Sequence, residues 1–437
     1  MRPAGSVGGG RGGIRERVRA FEPAVQLLFV NQFSINLGFY MLMPYLAAHL
    51  SGELGLAAWA VGLVLGVRNL SQQGMFLVGG ALADRLGYKP MIVAGCALRT
   101  AGFGALAFAQ TLPVLIAASA ATGLAGALFN PAVRAYVAAE AGTPERRVEA
   151  FALFNVFYQT GILLGPLVGL ALTGVDFALT CAVAAVLFAV LSVVQVLRLP
   201  VRRGETGSDD GSGSGSGSGA GRGQWRAVLG NRPFWLFALA MTGSYVLSFQ
   251  VYLALPLEVE RLLGEGTATT VATGALFVVS GLVALLGQLR ITDWCRRTWT
   301  REQCLVAGLG LMGAAFLPPA LGGPGYAGVT ALLLCAAALA AANAVLYPFE
   351  MDTVVSLARE RWVATHYGLY NTVCGIGITA GNLGMGALLD LGESRGVPAV
   401  PWLVLAVLGA GCALALRSLG RSGRLTAPVP ALGGETA

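Results

Sequence analysis

Charge is scarce in this sequence. Only 12% of its 437 residues are Asp, Glu, Lys or Arg, Lys89 is the single lysine among 29 basic residues, and His49 and His366 are the only histidines. A soluble chain of this length needs a polar surface, and a nucleic-acid-binding one needs basic runs; both are missing. The net charge of +7 is therefore informative by where it falls, not by its sum. With two histidines, both near span ends, there is no metal cluster. No nucleophile stands near a base, and no Walker-type phosphate loop occurs. Enzymatic activity, a metal, a cofactor and direct use of ATP are not expected. The seven cysteines match no metal spacing. Cys96, Cys181, Cys335, Cys374 and Cys412 sit in apolar stretches and read as small hydrophobes.

What is abundant is apolar sequence. Hydrophobic residues make up 55% of the chain and the mean hydropathy is +0.69. Stretches of about twenty residues with few or no charges recur, enough to cross a hydrocarbon core of roughly 30 Å as a helix. Strands of a membrane barrel would alternate apolar and polar, and these stretches do not. Twelve spans are predicted, at 22–49, 58–83, 90–110, 112–139, 148–173, 177–198, 233–261, 268–290, 303–320, 326–356, 364–389 and 400–417. Of the 29 basic residues, 25 fall on one side of these spans or toward that end of them (Arg134 among these), Arg261 and Arg395 toward the other, and Arg68 and Arg99 in mid-span. The positive-inside rule puts the rich side, with both termini, in the cytoplasm of a cell whose plasma membrane holds the chain.

The fold class expected is an all-α membrane protein, two pseudo-symmetric six-helix bundles with twelve transmembrane helices. A Gly/Arg-rich tail (1–20) leads into the first bundle (21–198) without a signal-peptide cleavage site. A Gly/Ser-rich stretch over 199–231 reads as a flexible cytoplasmic linker. The second bundle (232–418) and a short tail (419–437) follow. The halves echo each other about 216 residues apart: LFNPAVRAYVA (Leu128–Ala138) then FNVFYQTGILLGPLVG (Phe154–Gly169), against LYPFEMDTVVS (Leu346–Ser356) then YNTVCGIGITAGNLGMG (Tyr370–Gly386). Two such halves with a site between them are the architecture of secondary transporters.

The stretch GGALADRLGYKP (Gly79–Pro90) places Asp84, Arg85 and Lys89 between the second and third spans. Topology alone accounts for the basic residues, but not for the aspartate or for Gly80 and Gly87. Asp84 is placed to meet the positive end of a neighbouring helix while the cytoplasmic side is closed. This stretch resembles the loop signature of the major facilitator superfamily. Gly161-Ile-Leu-Leu-Gly165-Pro166-Leu-Val-Gly169 resembles the antiporter motif of its twelve-helix drug:proton exporters, and Leu37-Gly38, with Pro44 further along, resembles their first-helix motif. The resemblance covers nearly the whole chain and implies a latch in which Asp84 meets both a basic residue at the end of the fourth helix, here Arg134, and the start of the eleventh. The glycine ladder itself allows close helix packing, and Pro166 is expected to bend its helix.

The chain departs from the family where a helix-4 arginine is usual: Ser119 stands there, with Thr122 in place of a glutamine, and Asn31 stands where some relatives carry an aspartate. Intramembrane charges are rarely idle. Arg68 and Arg99 are read as facing a wet cavity, a substrate or neighbouring carbonyls. Glu350 is the candidate carboxylate for proton coupling, an ordinary helix-end charge being the other reading. Candidate cavity residues are Asn31, Asn36, Tyr40, Arg68, Tyr158, Gln159, Tyr245, Gln250, Asn343 and Tyr347. An apolar cavity with a few hydrogen-bonding groups suits amphipathic molecules. The expected function is export of a small amphipathic compound against inward protons, as a monomer. An importer or uniporter of an anionic metabolite and a transporter-like sensor are the alternatives.

Overall fold

The computed structural model describes residues 13–173, 176–201, 218–264 and 266–423. Every regular element among them is helical. In lipid that is the expected economy, because a helix satisfies its own backbone polar groups. A short α1 (Ile14–Arg19) precedes α2 (Pro23–Ala48), α3 (Ala58–Leu86), α4 (Tyr88–Phe108), α5 (Leu112–Ala141), α6 (Pro144–Thr173) and α7 (Phe177–Arg198). After α8 (Ser218–Leu229) come α9 (Arg232–Phe249), α10 (Ala254–Leu263), α11 (Thr267–Thr298), α12 (Arg301–Ala314), α13 (Leu317–Leu321), α14 (Tyr326–Leu357), α15 (Val363–Ser394) and α16 (Val400–Arg421).

Eleven stretches among the described residues are long and apolar enough to cross a membrane. The twelfth expected span, α3, has the length but carries Arg68, Asn69, Ser71, Gln72 and Gln73 in its middle. It packs between α5 of its own half and α15 of the other, which partly cover Arg68, Ser71, Gln72 and Gln73 and leave Asn69 exposed. The seventh span is two helices, α9 and α10, joined by a 3-10 turn over Gln250–Tyr252. Pro256 lacks the N–H that would have bound the Tyr252 carbonyl, so the ladder restarts there. The ninth span breaks likewise at Pro318-Pro319, which open α13.

The expectation of a structureless tether across 199–231 is corrected at its far end, where α8 forms and buries Gln224 and Val228, four residues apart on one helical face. The first tail contains α1. Of the second tail, residues 424–437 lie outside the described residues, as do 1–12 of the first and 202–217 of the linker.

Glycine sets the closest helix crossings. A Cβ at Gly161 would stand 2.6 Å from the Phe33 carbonyl oxygen, and one at Gly165 would stand 2.7 Å from Tyr40 Cβ, so α6 lies hard against α2. In the second half Gly377 and Gly381 face Thr242 and Val246, bringing α15 against α9. Pro166 sits inside an uninterrupted α6. Gly87, at φ +101°, makes the turn from α3 to α4 in a region of backbone space that favours glycine. The turn from α14 to α15 is different: Arg359, Glu360 and Trp362 hold positive φ of 52°, 58° and 53° without being glycine.

Candidate functional site

The ends of α3, α5, α14 and α11, together with α1 and α8, form one end of the molecule, called here the basic end after its arginines. At this end the two halves are tied together. Asp84, 1% exposed at the foot of α3, accepts from the backbone N–H groups of Ala364 (3.2 Å) and Thr365 (2.7 Å) and from the Thr365 hydroxyl (2.6 Å). These are the unsatisfied donors of the first turn of α15, where the helix dipole also favours an anion. Gly80 lets this happen, since a Cβ there would overlap the Ala364 carbonyl. Tyr88 donates to the same carboxylate at 3.4 Å.

Arg134 does not complete this latch as expected. Its Nη1 donates instead to Asn371 Oδ1 of α15 at 2.9 Å, deeper in the seam. Asp84 has the helix start as its counter-charge, so a buried guanidinium beside it is not needed. The two other charges of the opening motif are also engaged. Arg85 Nε donates to Gln224 Oε1 (2.7 Å), Gln224 Nε2 donates to the Thr365 hydroxyl (2.7 Å), and Lys89 Nζ donates to the Val196 carbonyl (2.8 Å). Helix α8, from the segment joining the halves, thereby sits on the latch.

Four residues outside the expected site carry a second tie. Arg147, at the start of α6, reaches across to Asp352 (2.7 Å) and Glu360 (2.6 Å), and Arg301 also pairs with Asp352 (3.0 Å). Asp352 is fully buried. A third tie joins Arg17 of α1 to Asp293 at the end of α11. Within the seam Asn155 donates to Gln288 Oε1 at 2.6 Å.

Above these ties the halves enclose a cavity of about 190 Å³. Of the residues expected there, Tyr158, Gln159, Tyr245, Asn343 and Tyr347 line it, joined by Arg134 and Glu350. Ser244, Ser248, Tyr252 and Ser280 line it too and were missed, because a serine or tyrosine in an apolar span carries no signal of which face it occupies. Asn31, Asn36, Tyr40, Arg68 and Gln250 are not among the lining residues. Asn36 donates to the Gln32 carbonyl (2.7 Å) and Gln250 to the Val246 carbonyl (2.8 Å), both within their own helices. Asn31 is fully buried. Tyr40 stands beside Tyr158 and Tyr252. Arg68 lies over the Phe39 ring at 4.8 Å.

Glu350 is 2% exposed and accepts a hydrogen bond from the Tyr370 hydroxyl. The Tyr245 hydroxyl and the Arg134 charge are beside it. It lies seven residues from the end of α14, about 10 Å at 1.5 Å per residue. Arg134 and Glu350 are 216 residues apart, the same interval that separates Asn155 from Asn371. Arg134 and Glu350 thus come from the two segments that echo each other. Both face one cavity, and no ion pair joins them.

Two six-helix halves meeting at a polar cavity, and laced together at one end, define a polytopic membrane transporter rather than an enzyme. The family model of the Major Facilitator Superfamily matches residues 28–382, and the chain belongs to that superfamily. An uncharacterized MFS-type transporter of Mycobacterium tuberculosis is 51% identical over 412 residues, covering 93% of this chain and 96% of that one. The multidrug resistance protein MdtH of Salmonella arizonae is 30% identical, covering 87% and 90%. Among solved structures, the E. coli fucose:proton symporter FucP superposes with a TM-score of 0.68 at 15% identity, over 90% of this chain and 98% of FucP. The human organic anion transporter MFSD10 superposes with a TM-score of 0.65 at 16% identity, over 93% and 100%. These two likenesses establish the fold.

Proposed function

We propose that the chain exports small amphipathic organic compounds in exchange for protons by alternating access, with its basic end facing the cytoplasm. The observation that carries this reading is Glu350. It is the only carboxylate among the lining residues of the cavity, it is withdrawn from solvent, and it sits between tyrosines that can hydrogen-bond either protonation state. Phe249, Phe277 and Leu339 give the same cavity an apolar wall suited to an amphipathic ligand. The likeness to a relative named as a multidrug resistance protein supports the same reading. The ties of Asp84 and Arg147 close the basic end in this conformation, and release of both is what opening toward the cytoplasm requires.

The reading is tested in inverted membrane vesicles carrying the full chain. An imposed proton gradient is expected to drive accumulation of an amphipathic fluorescent dye. An uncoupler should abolish that accumulation, and Glu350→Gln should reduce it to background while leaving the protein in the membrane. Full gradient-driven flux in Glu350→Gln, or flux indifferent to the uncoupler, would overturn proton exchange at this site. Surface labelling of a cysteine placed at Ser422 from inside the cell only would support the orientation; labelling from outside would reverse it.

A further inference from the structure

Two arginines lie within the first bundle with nothing acidic beside them. Arg68 of α3 has its Nη1 3.4 Å from Gln72 Oε1 and its Nη2 2.5 Å from Asn69 Oδ1, both on its own helix. Arg99 of α4 is 6% exposed, and its Nε has no hydrogen-bond partner. Its guanidinium carbon stands 5.8 Å from the ring centres of Phe129 and Phe188. Those faces attract a cation, but they offer no acceptor along its N–H directions. Among the described residues neither arginine makes an ion pair.

Gly126 of α5 brings the groups together. A Cβ there would stand 3.0 Å from Gln72 Nε2 and 3.4 Å from Arg99 Nη2, so both donors are drawn up against a helix face that has no side chain. The carboxamide of Gln72 thus turns its oxygen toward Arg68 and its nitrogen toward Arg99. Ser119, two turns along the same face of α5, is buried with its hydroxyl unpartnered. Donors outnumber acceptors in this cluster, and its two fixed charges have the same sign. In a low-dielectric interior such a cluster is costly until a negative group joins it.

We propose that the Arg99–Gln72–Arg68 cluster is an anion site, taking a halide or the carboxylate of a small organic acid between α3, α4 and α5. None of these residues lines the cavity of Glu350, so the site stands whether or not Glu350 carries the coupled proton. Arg99 is the primary ligand, Gln72 donates a second hydrogen bond, and Arg68 contributes its field from one turn away.

The test uses the purified full-length protein in nanodiscs and follows thermal unfolding. The background is a zwitterionic buffer without added salt, so that no competing small anion is present. Chloride and benzoate are titrated separately, with uncharged benzamide as control. A saturable rise in unfolding temperature with an anion, absent with benzamide, is expected. Response to chloride alone identifies a free halide as the occupant, and half-saturation by benzoate at lower concentration identifies an organic carboxylate. Arg99→Met is expected to abolish the rise and Arg99→Lys to retain it at about tenfold higher anion concentration. If Arg99→Met does not fold, Gly126→Ala, which puts a methyl group against both donors, should weaken the anion effect by a similar factor. No saturable anion effect in the parent protein would overturn the proposal, as would an undiminished one in Arg99→Met or Gly126→Ala.

Discussion

The two halves of this transporter share a backbone plan and differ in its chemistry. Gly161 and Gly165 seat α6 on α2, and Gly377 and Gly381 seat α15 on α9 in the matching way. Asn155 and Asn371 each reach across the seam, one to Gln288 and the other to Arg134. Facing the cavity, however, the first half has Arg134 and the second Glu350. The acids at the basic end diverge too: Asp84 is buried on the start of α15, whereas Asp293 pairs with Arg17 of α1 in a partly exposed contact. Repetition supplies two bundles of like shape, and divergence gives each a different charge at the cavity. The first holds a fixed charge and the second a titratable one.

The sharpest way to break this comparison is to transpose its central charges. Arg134→Glu combined with Glu350→Arg is expected to cut gradient-driven vesicle flux more than about tenfold, because each group's hydrogen-bond partners suit its own sign. Flux near the parent level would show the halves to be chemically interchangeable. Next in size, Arg147→Gln leaves the fully buried Asp352 with only Arg301. It should destabilise the closed basic end by about 3 kcal/mol, the low end of the cost of unpairing a buried charge, read as a fall in unfolding temperature. An unchanged unfolding temperature would show that Arg301 suffices.

Asp84→Asn is expected to shift the population toward basic-end opening by about 1.5–3 kcal/mol, the worth of hydrogen bonds to a charged group. Asp293→Asn should shift it less, because the Arg17 pair keeps some contact with water. Distances between spin labels on the basic ends of α5 and α14 would report both, and equal shifts would erase the distinction drawn between the two acids. The last comparison concerns the glycines. Gly161→Ala meets a backbone carbonyl and should cost about 1–3 kcal/mol, whereas Gly377→Ala meets the Thr242 side chain, which can turn aside. Equal losses of unfolding temperature would contradict that.

The fold was legible in the sequence because apolar length and the distribution of arginine are set by the bilayer, whatever the partners. The breaks at Pro256 and Pro318-Pro319 were legible in principle too, since a missing N–H acts locally. Helix α8 was not, because it buries Gln224 only by finding Arg85 and Thr365, more than a hundred residues away in sequence. The same limit explains the latch. The resemblance placed Asp84 at the start of the eleventh helix, where the structure has it, but sequence could not show that Arg134 turns to Asn371. Arg147 was overlooked because a charge at a helix end looks solvated until the other half of the molecule covers it.

The turn from α14 to α15 bears on how firmly the basic end is shut. Arg359, Glu360 and Trp362 hold a left-handed backbone that disfavours side-chain-bearing residues, at about 1–3 kcal/mol each. Glu360 is held by Arg147, and the carbonyl of Trp362 faces the buried His366 ring at 2.9 Å. Of these two contacts only Arg147–Glu360 joins the halves, so the backbone strain at Glu360 sits where that clamp ends and works against it, making the net hold of the tie smaller than its ion pairs alone would give.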